Sequence, residues 1–266
     1  MSLRINTNVE AFNAHRQLAQ TSDRASKSME RLSSGYRINR AADDAAGLAI
    51  SEKLRGQIRG LSQAQRNAQD AVSLVQTAEG SLNEVHSMLQ RVRELAVQYH
   101  NGTLSTSDKA AITAEAAQLQ SEIDRIGTTA DFNGIKLLDG TAGTISFQVG
   151  ANDGDVISVS TSTLTTKIGT IDITGTGAIS AIDAAIENVS TMRGSFGAVQ
   201  NRLEHTLNNL ATYQENLTAS ESRIRDVDMA SEMVEFSKNQ ILQQAGTSML
   251  AQAIQPPQAV LSLLRG

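Results

Sequence analysis

Residues 41–98 read AADDAAGLAISEKLRGQIRGLSQAQRNAQDAVSLVQTAEGSLNEVHSMLQRVRELAVQ. Apolar residues recur within them at Leu54, Ile58, Leu61, Ala64, Ala68, Val72, Val75, Ala78, Leu82, Val85, Leu89, Val92 and Ala96. The steps alternate between three and four and average about 3.5, the repeat of a coiled-coil seam. At about 1.5 Å per residue, one helix over this stretch reaches roughly 80 Å, more than a compact domain of this chain length is wide. Other long helices must therefore cover the seam, and the rest of the chain reads as partner, end or cap to a rod.

Composition agrees with a rod. The 266 residues are 40% hydrophobic but only 3% aromatic, with no Trp. A helical seam is filled by Ala, Leu, Val and Ile, whereas a conventional globular core leans on large aromatics. The net charge of −5, with Lys and Arg interspersed among acids, gives no basic stripe for nucleic acid or an anionic membrane. The absence of cysteine excludes disulfides and thiolate chemistry. No apolar run approaches the roughly 20 residues of a membrane span, and MSLRINTNVEAFNAHRQ lacks the continuous apolar core of a cleaved signal peptide.

Residues 1–40 read as an amphipathic segment stopped by Gly35, and Asp43 and Asp44 then stand where carboxylates favour a helix start. Gly56-x-x-x-Gly60 predicts a close approach between helices. After Asn101-Gly102, the spacing Ser105-x-x-Asp108 predicts a capped helix with Ile112, Ala116, Leu119, Ile123 and Ile126 on one face and Gly127 as its stop. The period then changes to two. Asn133-Gly134 is a hairpin signal, and Ile145, Phe147 and Val149 alternate with polar residues, so a small β-rich region is expected at about 129–177. The helical seam resumes at Ile179 and runs through Val227, antiparallel to the first rod. The last stretch is rich in apolar residues and broken only by Pro256-Pro257.

The fold class that follows is mainly α, with long antiparallel coiled-coil helices and a small β-rich hairpin region at the tip. Residues 1–40 and 229–266 are expected to form paired terminal helices, with 41–228 as the rod. In a monomer the two terminal segments have only each other for cover, and short isolated helices are marginal in water. Each fully buried Leu, Ile or Met contributes about 1.5–3 kcal/mol, so packing of such segments between many subunits is enough to hold a large assembly. Leu3, Ile5, Val9, Phe12, Met249, Leu250, Leu261 and Leu264 are the residues expected to become buried only on assembly.

Longer motifs say more than the periodicity. MERLSSGYRIN at 29–39, AADDAAGLAISEKLRGQIRGL, QTAEGSLNEV and LQRVRELAVQ closely resemble the amino-terminal region of bacterial flagellins. GAVQNRLEHTLNNL, ENLTASESRIRDVDMASEM and MLAQAIQPPQAVLSLLRG resemble the carboxy-terminal region of the same family. The resemblance implies a subunit of a helical homopolymer, the bacterial flagellar filament of swimming motility, whose paired termini form its inner core. It implies export without a cleaved signal peptide through the flagellar type III apparatus to an extracellular filament. It also implies an export chaperone, a cap and hook–filament junction proteins as partners. The short stretch between Gly140 and the returning helix implies that the large outer domains of many members are absent. Arg91, Leu95 and Glu115 match positions through which a host Toll-like receptor recognises many flagellins, and the plainer reading of the charged pair is a surface ion pair. Ile254 departs from the Asn usual in the family, and the Ser/Thr-rich run 158–166 reads as a polar strand edge or a site for O-linked sugars.

Chemistry finds no foothold. His15, His86, His100 and His205 show no metal-ligand spacing, Gly194-Ser195-Phe196-Gly197 lacks the preceding strand of a nucleophile elbow, and no phosphate loop occurs. No catalytic, cofactor-binding or metal-binding residues are expected, and no enzyme activity. The alternative readings are a hook–filament junction protein, which the ENLTASESRIRDVDMA stretch argues against, and a closed helical adaptor.

Overall fold

A computed structural model describes residues 8–264, with side chains described over 8–255. The helix α1 spans Val9–Ser34; Asn8 caps it by accepting from the Ala11 N–H at 3.0 Å, and Gly35 ends it in the left-handed conformation at φ 75°. The seam read from the sequence is a single helix, α2, over Ala45–Tyr99. Asp44 opens it by accepting from the Gly47 N–H at 2.8 Å. The expected capping box is present at the start of α3, Thr106–Thr129, where Ser105 and Asp108 satisfy each other's backbone N–H groups. Two short hairpins follow: β1 (Asp131–Phe132) pairs with β2 (Ile135–Lys136), and β3 (Thr144–Gln148) pairs with β4 (Val156–Ser160), both antiparallel. Asn133 and Gly134 turn the first of them, both at positive φ (50° and 79°), which only such residues adopt at low cost. The chain continues through a short α4 (Leu164–Ile168), a second long helix α5 (Ala178–Arg225) and α6 (Met229–Leu264).

Contacts divide the chain into two compact units, 57–216 and a unit made of 1–56 with 217–266. In the first, α2 and α5 run antiparallel: Arg93 pairs with Asp183 at 2.6 Å and Glu79 with Arg193 at 3.4 Å, so rising numbers on one helix meet falling numbers on the other. The seam residues from Leu61 to Ala96 are buried, Val72 excepted, and Leu74 and Leu95 widen the buried stripe beyond two positions per heptad. The widening has a cause. The hairpins and α4 add a further layer, so Leu137, Leu138, Val159 and Leu164 join Leu82, Leu89, Ile123, Val189 and Phe196 in one core cluster.

Two glycines behave differently from the sequence expectation. Gly127 does not stop α3, which continues to Thr129; it is buried inside the helix, where a Cβ would meet Leu164 at 3.4 Å, so it serves as space for α4. Gly60 does approach a neighbour, but that neighbour is Ala151 in the β3–β4 loop and not a helix, and Gly56 faces open space. Nor do Pro256 and Pro257 end the last helix, which runs past them to Leu264.

In the other unit α1 and α6 lie antiparallel side by side. Asn8 Nδ2 donates to the Ala253 carbonyl at 2.7 Å near one end, and Arg31 pairs with Glu232 at 3.5 Å near the other. Between them a Cβ on Gly246 would lie 3.2 Å from Leu18 Cδ1, so the glycine makes room for that side chain. The links leading out of α1 and into α6 are zipped together. Arg37 N–H donates to the Arg225 carbonyl at 2.7 Å, Val227 N–H donates to the Gly35 carbonyl at 3.0 Å, and the Arg225 guanidinium lies 4.8 Å over the Tyr36 ring.

Candidate assembly surface

The α1–α6 pair hides the wrong residues for a self-contained helix pair. On α6 the covered row is Glu232, Phe236, Asn239, Gln243, Gly246, Leu250 and Ala253, a coiled-coil spacing filled mostly by polar or small side chains. The facing row on α1, Ala11, Ala14, Leu18, Thr21, Ala25 and Ser28, is small as well. Small residues let the backbones approach closely but remove little apolar surface from water. Asn239 is buried with its Nδ2 unpaired among the described residues.

Apart from Phe236, Leu250 and Leu18, the large apolar side chains of this pair point the other way. Phe12 and Val234 are each 70% exposed, Ile241 is 66%, Met249 63% and Val9 59%, with Met229, Met233, Leu242 and Ile254 also exposed. Isolated exposed apolar residues are ordinary, but a row of them along two adjacent helices marks an interaction surface. Of the residues expected from sequence to be buried by assembly, Val9, Phe12 and Met249 stand in this outward row. Leu250 lies in the covered row, half-buried within the chain already, and leaves less surface for assembly to cover. Leu3 and Ile5 lie outside the described residues, as do the side chains of Leu261 and Leu264. Met229, Met233, Val234, Ile241 and Leu242 extend the surface beyond the sequence expectation. Their signal was legible, since α6 carries apolar residues all round its circumference, which a helix with one buried face has no use for.

The electrostatics of this unit serve positioning. Asp43 binds the Lys27 ammonium at 2.7 Å and accepts from the backbone N–H groups of Arg40 (3.1 Å) and Asn39 (3.2 Å), which together draw its pKa from 3.8 to about 2. Glu52 is held low first by Arg225 (2.7 Å) and then by Arg55 (2.9 Å). These contacts fix the turn between α1 and α2 and the end of α5.

The receptor-matching positions lie in the other unit. Arg91 donates to Glu115 through Nε (3.0 Å) and Nη2 (2.9 Å) and to Glu94 through Nη1 (3.0 Å), which holds the guanidinium charged. Leu95 is corrected as a contact residue: at 1% exposure it packs among Val92, Ile112, Ala116 and Ile182, and only Arg91 and Glu115 reach the surface. An open groove of about 510 Å³ lined by Asn67, Asp70, Phe132, Asn133 and Gln148 lies beside the hairpins and holds no arrangement of groups recognisable as a reaction centre. Among the described residues no three His, Cys, Asp or Glu side chains are placed to hold a metal, and no helix is long and apolar enough to cross a membrane.

Comparison with known proteins agrees with this geometry at both ends. The model of the bacterial flagellin N-terminal helical region matches residues 5–143, and that of the bacterial flagellin C-terminal helical region matches 179–264. The chain belongs to the bacterial flagellin family. It is 57% identical to a flagellin of Halalkalibacterium halodurans, over 98% of this chain and 99% of that one. It is 49% identical to a flagellin of Bacillus subtilis, over 99% of this chain and 100% of that one. A "Flagellar filament 33 kDa core protein" of Treponema phagedenis is 46% identical over 98% and 99% of the two chains. The crystal structure of Bacillus cereus flagellin superposes with a TM-score of 0.51 at 35% identity, covering 55% of this chain and 88% of that chain. Residues 144–178, which hold β3, β4 and α4, lie between the two helical regions of the family.

Proposed function

We infer that the chain is a structural subunit of the bacterial flagellar filament, and propose that it polymerises through the outward apolar row of α1 and α6. One observation carries the reading: the terminal pair covers mostly small and polar residues inside and presents Val9, Phe12, Val234, Ile241 and Met249 outside. With about 1.5–3 kcal/mol for each large side chain buried, repeated contacts along a polymer supply what the isolated pair lacks. The role is mechanical: the filament turns motor torque into thrust, and no enzymatic step is assigned. Export without a cleaved signal peptide, a chaperone holding the carboxy-terminal helix, and cap and hook–filament junction proteins as neighbours belong to the same reading. Nothing favours the alternative of a junction protein. Recognition by a host Toll-like receptor rests on the exposed Arg91–Glu115 pair alone.

The test is seeded growth followed by negative-stain electron microscopy. The full chain is expected to extend sheared filament seeds into long uniform tubes. A chain lacking 1–34 and 229–266 is expected to keep the helical signal of the 57–216 unit and to remain unpolymerised. Robust tubes from that shortened chain would overturn the proposal.

A further inference from the structure

Asn-Gly occurs twice in this chain, and the fold gives the two copies opposite surroundings. Asn101-Gly102 lies between α2 and α3, exposed, with open space where a Cβ on Gly102 would stand and no hydrogen bond from its N–H among the described residues. The Thr103 N–H donates to Asn101 Oδ1 at 3.3 Å. Asn133-Gly134 is the turn between β1 and β2. There the Gly134 N–H donates to Asp131 Oδ2 at 3.3 Å, both residues are fixed at positive φ, and the paired Phe132 and Ile135 close the turn.

We propose that Asn101 is a site of spontaneous deamidation, and that the hairpin holds Asn133 in its amide form. In the first step the Gly102 backbone nitrogen gives its proton to solvent hydroxide and bonds to Asn101 Cγ. Negative charge gathers on Oδ1, where the Thr103 N–H already points and stabilises it, as donors do at any developing oxyanion. The Cγ–Nδ2 bond then breaks, the nitrogen takes up a proton and leaves as ammonia, and a five-membered succinimide remains. Water opens the ring at Cγ to give Asp, or at the backbone carbonyl to give isoaspartate. The net change is one amide and one water converted to one carboxylic acid and one ammonia, with no redox partner.

At Asn133 each early step is opposed. Loss of the Gly134 proton breaks a hydrogen bond to a carboxylate and creates a second negative charge beside it. Ring closure also has to turn the chain out of the paired hairpin. At Asn101 no such contact is lost. The product places a carboxylate two residues past the carbonyl end of α2, where the helix dipole disfavours negative charge, so the last turn of α2 is expected to loosen once modified.

The experiment uses the purified full chain held in mildly alkaline buffer at body temperature, with and without urea, and digested with trypsin. Fragments 94–109 and 126–136 each carry one Asn-Gly, and conversion is read as a gain of one dalton in the fragment, with isoaspartate appearing within it and ammonia released. In the folded chain Asn101 is expected to convert at least about tenfold faster than Asn133, which is about 1.4 kcal/mol in barrier. In urea the two rates are expected to converge. Asp131→Ala is expected to raise the rate at Asn133 and leave that at Asn101 unchanged. Equal rates in the folded chain, a gap that persists in urea, or no effect of Asp131→Ala would overturn the proposal.

Discussion

Asp43 holds the turn between α1 and α2 through three donors: the Lys27 ammonium and the backbone N–H groups of Arg40 and Asn39. Lys27 is half exposed and its share is screened, so the two backbone donors persist at high salt. Because the folded pKa is depressed from 3.8 to about 2, the carboxylate's contribution is complete above the ordinary value and is lost as pH falls through about 2. Asp43→Asn is expected to weaken the 1–56 with 217–266 unit by about 1–2 kcal/mol at neutral pH and to flatten its response to acid, measured by hydrogen exchange of the α1 amides. The neighbouring Asp44 was legible as a helix start, since a carboxylate before a helical seam meets free N–H groups. Asp43 was legible only as its twin. Its actual partners sit in a backward turn and on the preceding helix, which no local spacing reveals.

At the scale of elements, α2 separates strong from weak positions along one seam. Leu89 is wholly buried in the main core cluster and Leu54 only half-buried. Leu89→Ala is therefore expected to cost about 2–5 kcal/mol in the 57–216 unit, measured by urea unfolding, and Leu54→Ala to cost distinctly less in the unit made of 1–56 with 217–266. The course of the seam was readable, because a helix of 55 residues repeats its signal many times, although Leu54, Ile58 and Val72 are only half-buried and Leu74 and Leu95 widen the stripe. Single glycines were not. Gly127 carries the composition of a helix stop, yet its neighbour is Leu164, a residue from a different element, and only the fold brings the two together. The same holds for Gly60 and Ala151. Short strands were readable where turn chemistry marked them, as at Asn133-Gly134, whose φ values match the requirement.

For the whole molecule, the two terminal segments announce themselves by motif, but which of their apolar residues face outward depends on how α1 and α6 meet. A double change of Phe12→Ser and Val234→Ser is expected to leave the 57–216 unit as stable as before. It is also expected to raise the protein concentration needed for seeded growth by about tenfold or more, at about 1.4 kcal/mol for each factor of ten. Light scattering at graded concentrations reads that threshold directly. Unchanged growth would move the interface to other faces of the pair. Leu250 and Leu95 are covered within the chain by neighbouring helices, which neither helical spacing nor a motif match identifies.

The small and polar row between α1 and α6 bears on how the chain behaves under load. A seam of Ala, Ser, Gly and Gln holds little work against being peeled apart, whereas the packed Leu and Ile of the 57–216 core resist it. Pulled from its ends in an optical trap, a single chain is expected to unzip its terminal helices at low force, well before its core yields. On the proposed assembly, contacts with neighbouring subunits would supply the stiffness that the α1–α6 pair lacks by itself.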